Sequence, residues 1–195
     1  WFPCPELFDV SDNKRAWIIG NLSGDVANYI LGFGVGVVST ERLKFKNSHD
    51  TDQKFNRLSN IFAHRQMLQA IHIRCCKAGL EIRAVNPAFT SLIGQVKYAE
   101  TYGLSVHQAA GLAIARRAMD IRNERIPRKV NVAVFGNNRE RSSWRAWGKV
   151  SAWMSSVRKD AAGIDVSTKG WSISSYIKFV KVPLGGTEGP EPFPV

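Results

Sequence analysis

The sequence predicts an α/β fold in which parallel strands alternate with helices, and three features predict it. Periodic apolar segments follow one another in the order helix, strand, helix, strand, loop, helix, the rhythm of layered folds built on parallel strands. The run Val37-Val38-Ser39-Thr40-Glu41 is an apolar strand that delivers a carboxylate. The stretch Gly103-Leu104-Ser105-Val106-His107-Gln108-Ala109-Ala110-Gly111-Leu112-Ala113-Ile114-Ala115-Arg116-Arg117 puts a His on the first turn of a small-residue helix that closes on paired arginines. With 195 residues, 44% hydrophobic and 22% charged, the chain can bury one sizeable core, so one globular domain with a tail is expected.

Residues 1–10 are Pro-rich and read as extended. Ser11 or Asp12 can cap a helix whose apolar face is Ile18, Leu22, Val26, Tyr29 and Phe33, weakened by two glycines and ended by Gly32-Phe33-Gly34. Val35 to Thr40 are β-formers, apolar enough for a strand buried on both faces, and Glu41 sits where that strand runs out. After a polar loop, Lys44 to Lys54, a second amphipathic helix carries Phe55, Leu58, Ile61, Leu68, Ile71 and Cys75 and closes at Lys77-Ala78-Gly79. The strand Leu80 to Val85 then stops at Asn86-Pro87, because proline disfavours the α region before it and donates nothing to a ladder. In parallel layered folds ligands gather beyond the carboxyl ends of the strands, where Glu41, Asn86 and the loop before His107 are expected to converge.

Lysine and arginine number 27 against 16 acids, a net charge of +11. Such a field attracts polyanions, nucleic acid foremost, although a ribosomal or membrane-surface role gives similar totals. Cys4, Cys75 and Cys76 form no Cys-x-x-Cys spacing, and the adjacent pair is poorly placed to bridge, so a reducing cytosol and no zinc ribbon are expected. No apolar run reaches the roughly 18 residues of a membrane span, and the N-terminal residues show no basic region followed by an apolar one. A chain that begins at Trp1 instead of Met is expected to be a fragment, a processed product or the ordered part of something longer.

A set of short strings points further: Glu41-Arg42-Leu43-Lys44-Phe45, Phe55-Asn56-Arg57-Leu58, Phe62-Ala63, Asn86-Pro87-Ala88-Phe89-Thr90-Ser91-Leu92-Ile93-Gly94, Lys97-Tyr98, Tyr102 to His107, and Ile114-Ala115-Arg116-Arg117. In this order and spacing they resemble the C-terminal RuvC-like part of the TnpB (OrfB-type) insertion-sequence proteins, in the branch without the four-cysteine zinc ribbon. The matching stations run from about Leu7 to Val157. The resemblance implies an RNase H-like (RuvC-like) mixed sheet flanked by helices. It also implies a transposon-encoded, RNA-guided DNA endonuclease related to type V CRISPR effectors, whose partners are guide RNA and DNA. A prokaryotic, cytoplasmic and nucleoid-associated setting follows, without a membrane.

Carried over by position, Glu41 matches the family's second-strand glutamate, and His107 falls where most relatives have Asp and some RuvC-type resolvases place a His ligand. The family's first aspartate lies on an opening strand that this sequence does not display; Asp9 and Asp12 resemble the connector instead. Two-metal hydrolysis needs carboxylates holding Mg²⁺ or Mn²⁺ about 4 Å apart, one ion activating water and the other steadying the leaving oxygen. Glu41 and His107 alone cannot hold both ions, and imidazole suits Mn²⁺ better than Mg²⁺. Weak metal binding and negligible cleavage are therefore expected unless the remaining N-terminal part of the protein joins the chain. A RuvC-like platform that binds nucleic acid or a protein partner without cutting is the competing expectation.

Each candidate has a plainer alternative. Glu41 can be a solvated carboxylate, and His107 a capping or polar-niche residue, while His49, His64 and His72 read as structural or exposed. Arg42, Lys44, Lys97, Arg116 and Arg117 are candidate phosphate contacts, but arginines ending a helix also complement its dipole. Asn86 to Tyr102 stands in the place of the zinc ribbon and is expected to pack or touch DNA. Residues 122–159 hold ten basic positions (Arg122, Arg125, Arg128, Lys129, Arg139, Arg141, Arg145, Lys149, Arg158 and Lys159) against two acids, with Trp144, Trp147 and Trp153 among them. Guanidinium beside indole suits a nucleic-acid strand, and Arg139, Arg141, Trp144, Arg145 and Lys149 are the candidate contacts. Alternatively, the spacing Trp147, Val150, Met154, Val157 docks one face on the main domain. The division expected is a partial RuvC-like domain over 1–121, a basic extension over 122–182 and a flexible tail over 183–195.

Overall fold

In a computed structural model the described residues form a mixed α/β structure, mostly helical, with a small two-stranded parallel sheet. The structure describes Leu7 and residues 10–42, 53–121, 124–136, 140–141, 143–163 and 171–181, with side chains given from His64 onward in the helix that begins at Gln53. The expectations for Cys4, Asp9, Lys44, His49, Arg122, Arg139 and the tail fall outside them. Two compact units divide the chain, Trp1–Pro87 and Ala88–Val195.

In the N-terminal unit, α1 (Asp12–Leu31) begins where the Ser11 hydroxyl accepts from the Lys14 amide, and Asp12 in its first turn pairs with Arg15 at 2.7 Å. The buried positions are Ile19, Ser23 and Ala27, one turn apart, whereas Tyr29 and Phe33 are exposed and pack edge-to-face on each other. The packed stripe is thus rotated from the face of large residues that the sequence suggested. The buried side chains Ser23 and Ala27 are small, and α1 packs on α2 (Gln53–Lys77) along this helix.

The helix α2 ends at Gly79, whose φ of +80° lets the Leu80 amide turn back to the Cys75 carbonyl at 3.0 Å. Strands β1 (Val37–Glu41) and β2 (Glu81–Val85) pair in parallel, Val37 opposite Glu81 and Glu41 opposite Val85. Val38 and Ile82 join Ala27, Ile71, Cys75 and Leu80 in a small core, and Thr40 bonds His72 at 3.0 Å. The alternate residues Val37, Ser39, Glu41, Glu81 and Arg83 take the other side of the sheet, where Val37 is exposed and Glu81 pairs with Arg83. The strand expected to be buried on both faces is therefore only partly buried, packing on this small core through Val38.

The C-terminal unit is helical among its described residues. A continuous helical run comprises α3 (Thr90–Ile93), a π-helical stretch (Gly94–Ala99) and α4 (Glu100–Tyr102), and it ends at Gly103, φ +62°. Then come α5 (Val106–Ala118), with Ser105 and Gln108 forming a reciprocal capping box, α6 (Arg128–Phe135), α7 (Trp144–Ala162), capped by the Ser143 hydroxyl, and α8 (Ile173–Lys181). A Cβ at Gly94 would stand 2.5 Å from the Ala110 amide nitrogen, so only glycine lets the π stretch cross α5 so closely. Ile93, Val96, Ala109, Ala113, Val130, Trp147, Val150, Met154 and Tyr176 share one core. The boundary expected at residue 121 thus falls inside this unit, whose interior draws on both sides of it.

Candidate nucleic-acid interface

Glu41 closes β1 and is partly exposed. The ladder continues one step beyond it: the Arg42 amide donates to the Val85 carbonyl at 2.7 Å, and the Arg42 guanidinium to the Ala84 carbonyl at 3.1 Å. Glu41 and Asn86 therefore meet at the carboxyl edge of the sheet, as parallel pairing requires. His107 belongs to the other unit, as the second, exposed residue of α5. Among the described residues no three His, Cys, Asp or Glu side chains stand together as metal donors. One carboxylate and one imidazole are too few donors for two ions, so no cleavage step is assigned to them.

Lys97 and Arg116, candidates for phosphate contact, are drawn inward by a residue the sequence reading passed over. Glu124 is 5% exposed. Its carboxylate accepts from the Tyr98 hydroxyl at 2.7 and 2.8 Å and from Arg116 Nε at 3.2 Å, and it pairs with Lys97. Its backbone carbonyl accepts from the Trp147 indole at 3.1 Å. Burial pushes the Glu124 carboxyl up, but hydrogen bonds from Lys97, Tyr98 and Arg116 outweigh it and hold the group below the usual carboxylate range. The Tyr98 hydroxyl is raised, by burial first and then by donating to Glu124. A buried carboxylate is tolerated only when paired and hydrogen-bonded, and both cations are spent on that task. The sequence signal is a solitary acid inside a basic run, Arg122-Asn123-Glu124-Arg125.

Two further acids of this unit take cations as well. Glu100 pairs with Lys129 at 2.7 Å, and its carboxyl is lowered chiefly by that hydrogen bond. Glu140 pairs with Lys149, whose ammonium also stands over the Phe135 ring, 5.5 Å from its centroid. Arg158 donates to the Tyr176 hydroxyl at 2.7 Å. Arg125, Arg128, Arg141, Arg145 and Lys159 are exposed and make no ion pair among the described residues.

The chain matches no family model, no curated protein and no solved structure.

The tryptophans divide by role. Trp147 is buried and Trp153 half-buried beside Tyr176, with Val150, Met154 and Val157 on the same buried stripe, so the docking alternative holds for that face of α7. Trp144 stays 52% exposed at the start of the helix. Phe89 lies 5.4 Å from its ring and the Arg117 guanidinium 5.2 Å, while Arg117 also donates to the Ala88 carbonyl at 3.1 Å. Of the candidate contacts, Arg141, Trp144 and Arg145 therefore remain at the surface. Lys97 and Arg116 build the interior, and Arg117 and Lys149 are partly engaged.

Proposed function

We propose that the chain binds nucleic acid through the cationic surface of its C-terminal unit, as the carboxyl-terminal, RuvC-like part of a TnpB-type, RNA-guided DNA endonuclease. The observation that carries the binding is the unmatched set Arg125, Arg128, Arg141, Arg145 and Lys159, exposed in a unit whose Glu100, Glu124 and Glu140 are already committed to other lysines and arginines. Exposed cations without an acidic partner attract a polyanion that supplies the countercharge. The family assignment is supported by the motif strings and by the parallel pairing that sets Glu41 at the carboxyl edge of β1.

A second reading, a RuvC-like platform that binds without cutting, is favoured by the donor set, one carboxylate and one imidazole where two ions need more. The two readings separate in a Mn²⁺-dependent nicking assay of the complete gene product beside Glu41→Gln. Loss of nicking in the variant supports the nuclease, and equal cleavage by both proteins removes Glu41 from the chemistry. Binding is tested on labelled RNA and DNA: Arg141→Gln/Arg145→Gln should weaken affinity about tenfold for two lost phosphate contacts. Unchanged affinity would remove these arginines from the interface.

A further inference from the structure

An exposed aromatic at the start of α7 is held firmly from beneath. Trp144 begins α7 with half its surface in water, yet Phe89 and the Arg117 guanidinium both lie against its ring at 5.4 and 5.2 Å. The support is itself constrained. Phe89 has φ of +61°, a left-handed conformation that a bulky side chain rarely adopts, and Arg117 fixes the preceding residue by its bond to the Ala88 carbonyl. An indole with few rotamers left loses little entropy when a ligand settles on it.

The position one turn further along the helix carries no side chain. Gly148 is four residues on, on the same face as Trp144, and a Cβ built there would meet nothing within 4 Å. Packing therefore does not require glycine, which costs about 1 kcal/mol relative to alanine inside a helix. Helical side chains lean toward the N-terminus, so any side chain at 148 would lie over the flank of the indole. Arg141 and Arg145 flank Trp144 in sequence and are exposed and free of ion pairs among the described residues.

We propose that Trp144, backed by Phe89 and Arg117 and left uncovered by Gly148, is a stacking shelf for an unpaired nucleobase, with Arg141 and Arg145 meeting the adjoining phosphates. The inference rests on the nucleic-acid reading above and narrows it to single-stranded segments, because a base inside a duplex has no open face to offer a shelf.

The test compares fluorescein-labelled oligothymidylate with a fully paired duplex of equal length, by anisotropy, on the wild type, Trp144→Ala, Trp144→Phe and Gly148→Leu. Trp144→Ala should weaken single-strand binding about tenfold and change duplex binding less than about twofold, while Trp144→Phe keeps most of the affinity. Gly148→Leu should melt no lower than the wild type, yet lose single-strand affinity as Trp144→Ala does. If the wild type binds neither oligonucleotide, the nucleic-acid reading falls and the shelf with it. If the wild type binds and both Trp144→Ala and Gly148→Leu match it on the single strand, the shelf alone is overturned.

Discussion

Replacing Glu124 by leucine should unfold the C-terminal unit more than any surface change, and the size follows from what the carboxylate holds. The buried Tyr98 hydroxyl would lose both acceptor oxygens, at a cost of about 1–3 kcal/mol for a buried donor left unmet. Lys97 and Arg116, with side chains 19% and 34% exposed, can turn toward water, so each lost pair adds only about 0.5 kcal/mol. The sum is about 3 kcal/mol, or a fall in Tm on the order of 10–15 °C for a unit of this size. Thermal unfolding followed by tryptophan fluorescence reads it, since the Trp147 indole is bonded to the Glu124 carbonyl.

The pH dependence supplies a sharper check through Glu124→Gln. Because the folded carboxyl lies below its unfolded value, the charge stabilises the fold above the unfolded pKa, and that contribution is lost as pH falls through the folded pKa. The gap in stability between wild type and Glu124→Gln should be full at neutral pH and close in acid, below about pH 4. A Glu124→Leu protein less than about 1 kcal/mol weaker than wild type, by the same accounting, would refute this view of the carboxylate. So would a gap that stays constant with pH.

Two further outcomes follow from the same geometry. Gly94→Ala sets a methyl group 2.5 Å from the Ala110 amide nitrogen, so the π stretch and α5 must separate; chemical denaturation should register a loss of about 2 kcal/mol or more. Ser143→Ala removes the hydroxyl that accepts from the Ala146 amide at 3.1 Å and should cost about 1 kcal/mol in the same experiment.

Much of the N-terminal unit was legible because its signals are local. The Ser11 cap, the stop at Gly79 and the proline after Asn86 each act within a few residues, and the helix between two β-rich runs led to parallel pairing. The packed stripe of α1 was less legible, since periodicity marks several overlapping faces and the small residues Ser23 and Ala27 carry little hydrophobic signal. On α7 the spacing Trp147, Val150, Met154, Val157 identified the buried face because large apolar residues lie on one side only.

The site was harder to see. Sequence ranks a lysine or arginine by charge, but burial decides whether that charge reaches a ligand. Lys97 and Arg116 were taken inward by Glu124, some 27 and 8 residues away along the chain, a pairing that no local spacing announces. Trp144 and Trp147, three residues apart, took opposite environments because α7 turns one inward and leaves the other at its open end. Glu41 was placed correctly at the end of its strand, while the divide at Pro87 puts it and His107 in separate units.

The most direct test of the nucleic-acid claim is the salt dependence of binding. For single-stranded oligonucleotide, the logarithm of affinity should fall linearly with the logarithm of salt concentration, and Arg141→Gln/Arg145→Gln should flatten that slope by about 1.4, the share of two phosphate contacts. A slope that is the same in wild type and variant, or an affinity indifferent to salt, would contradict the account.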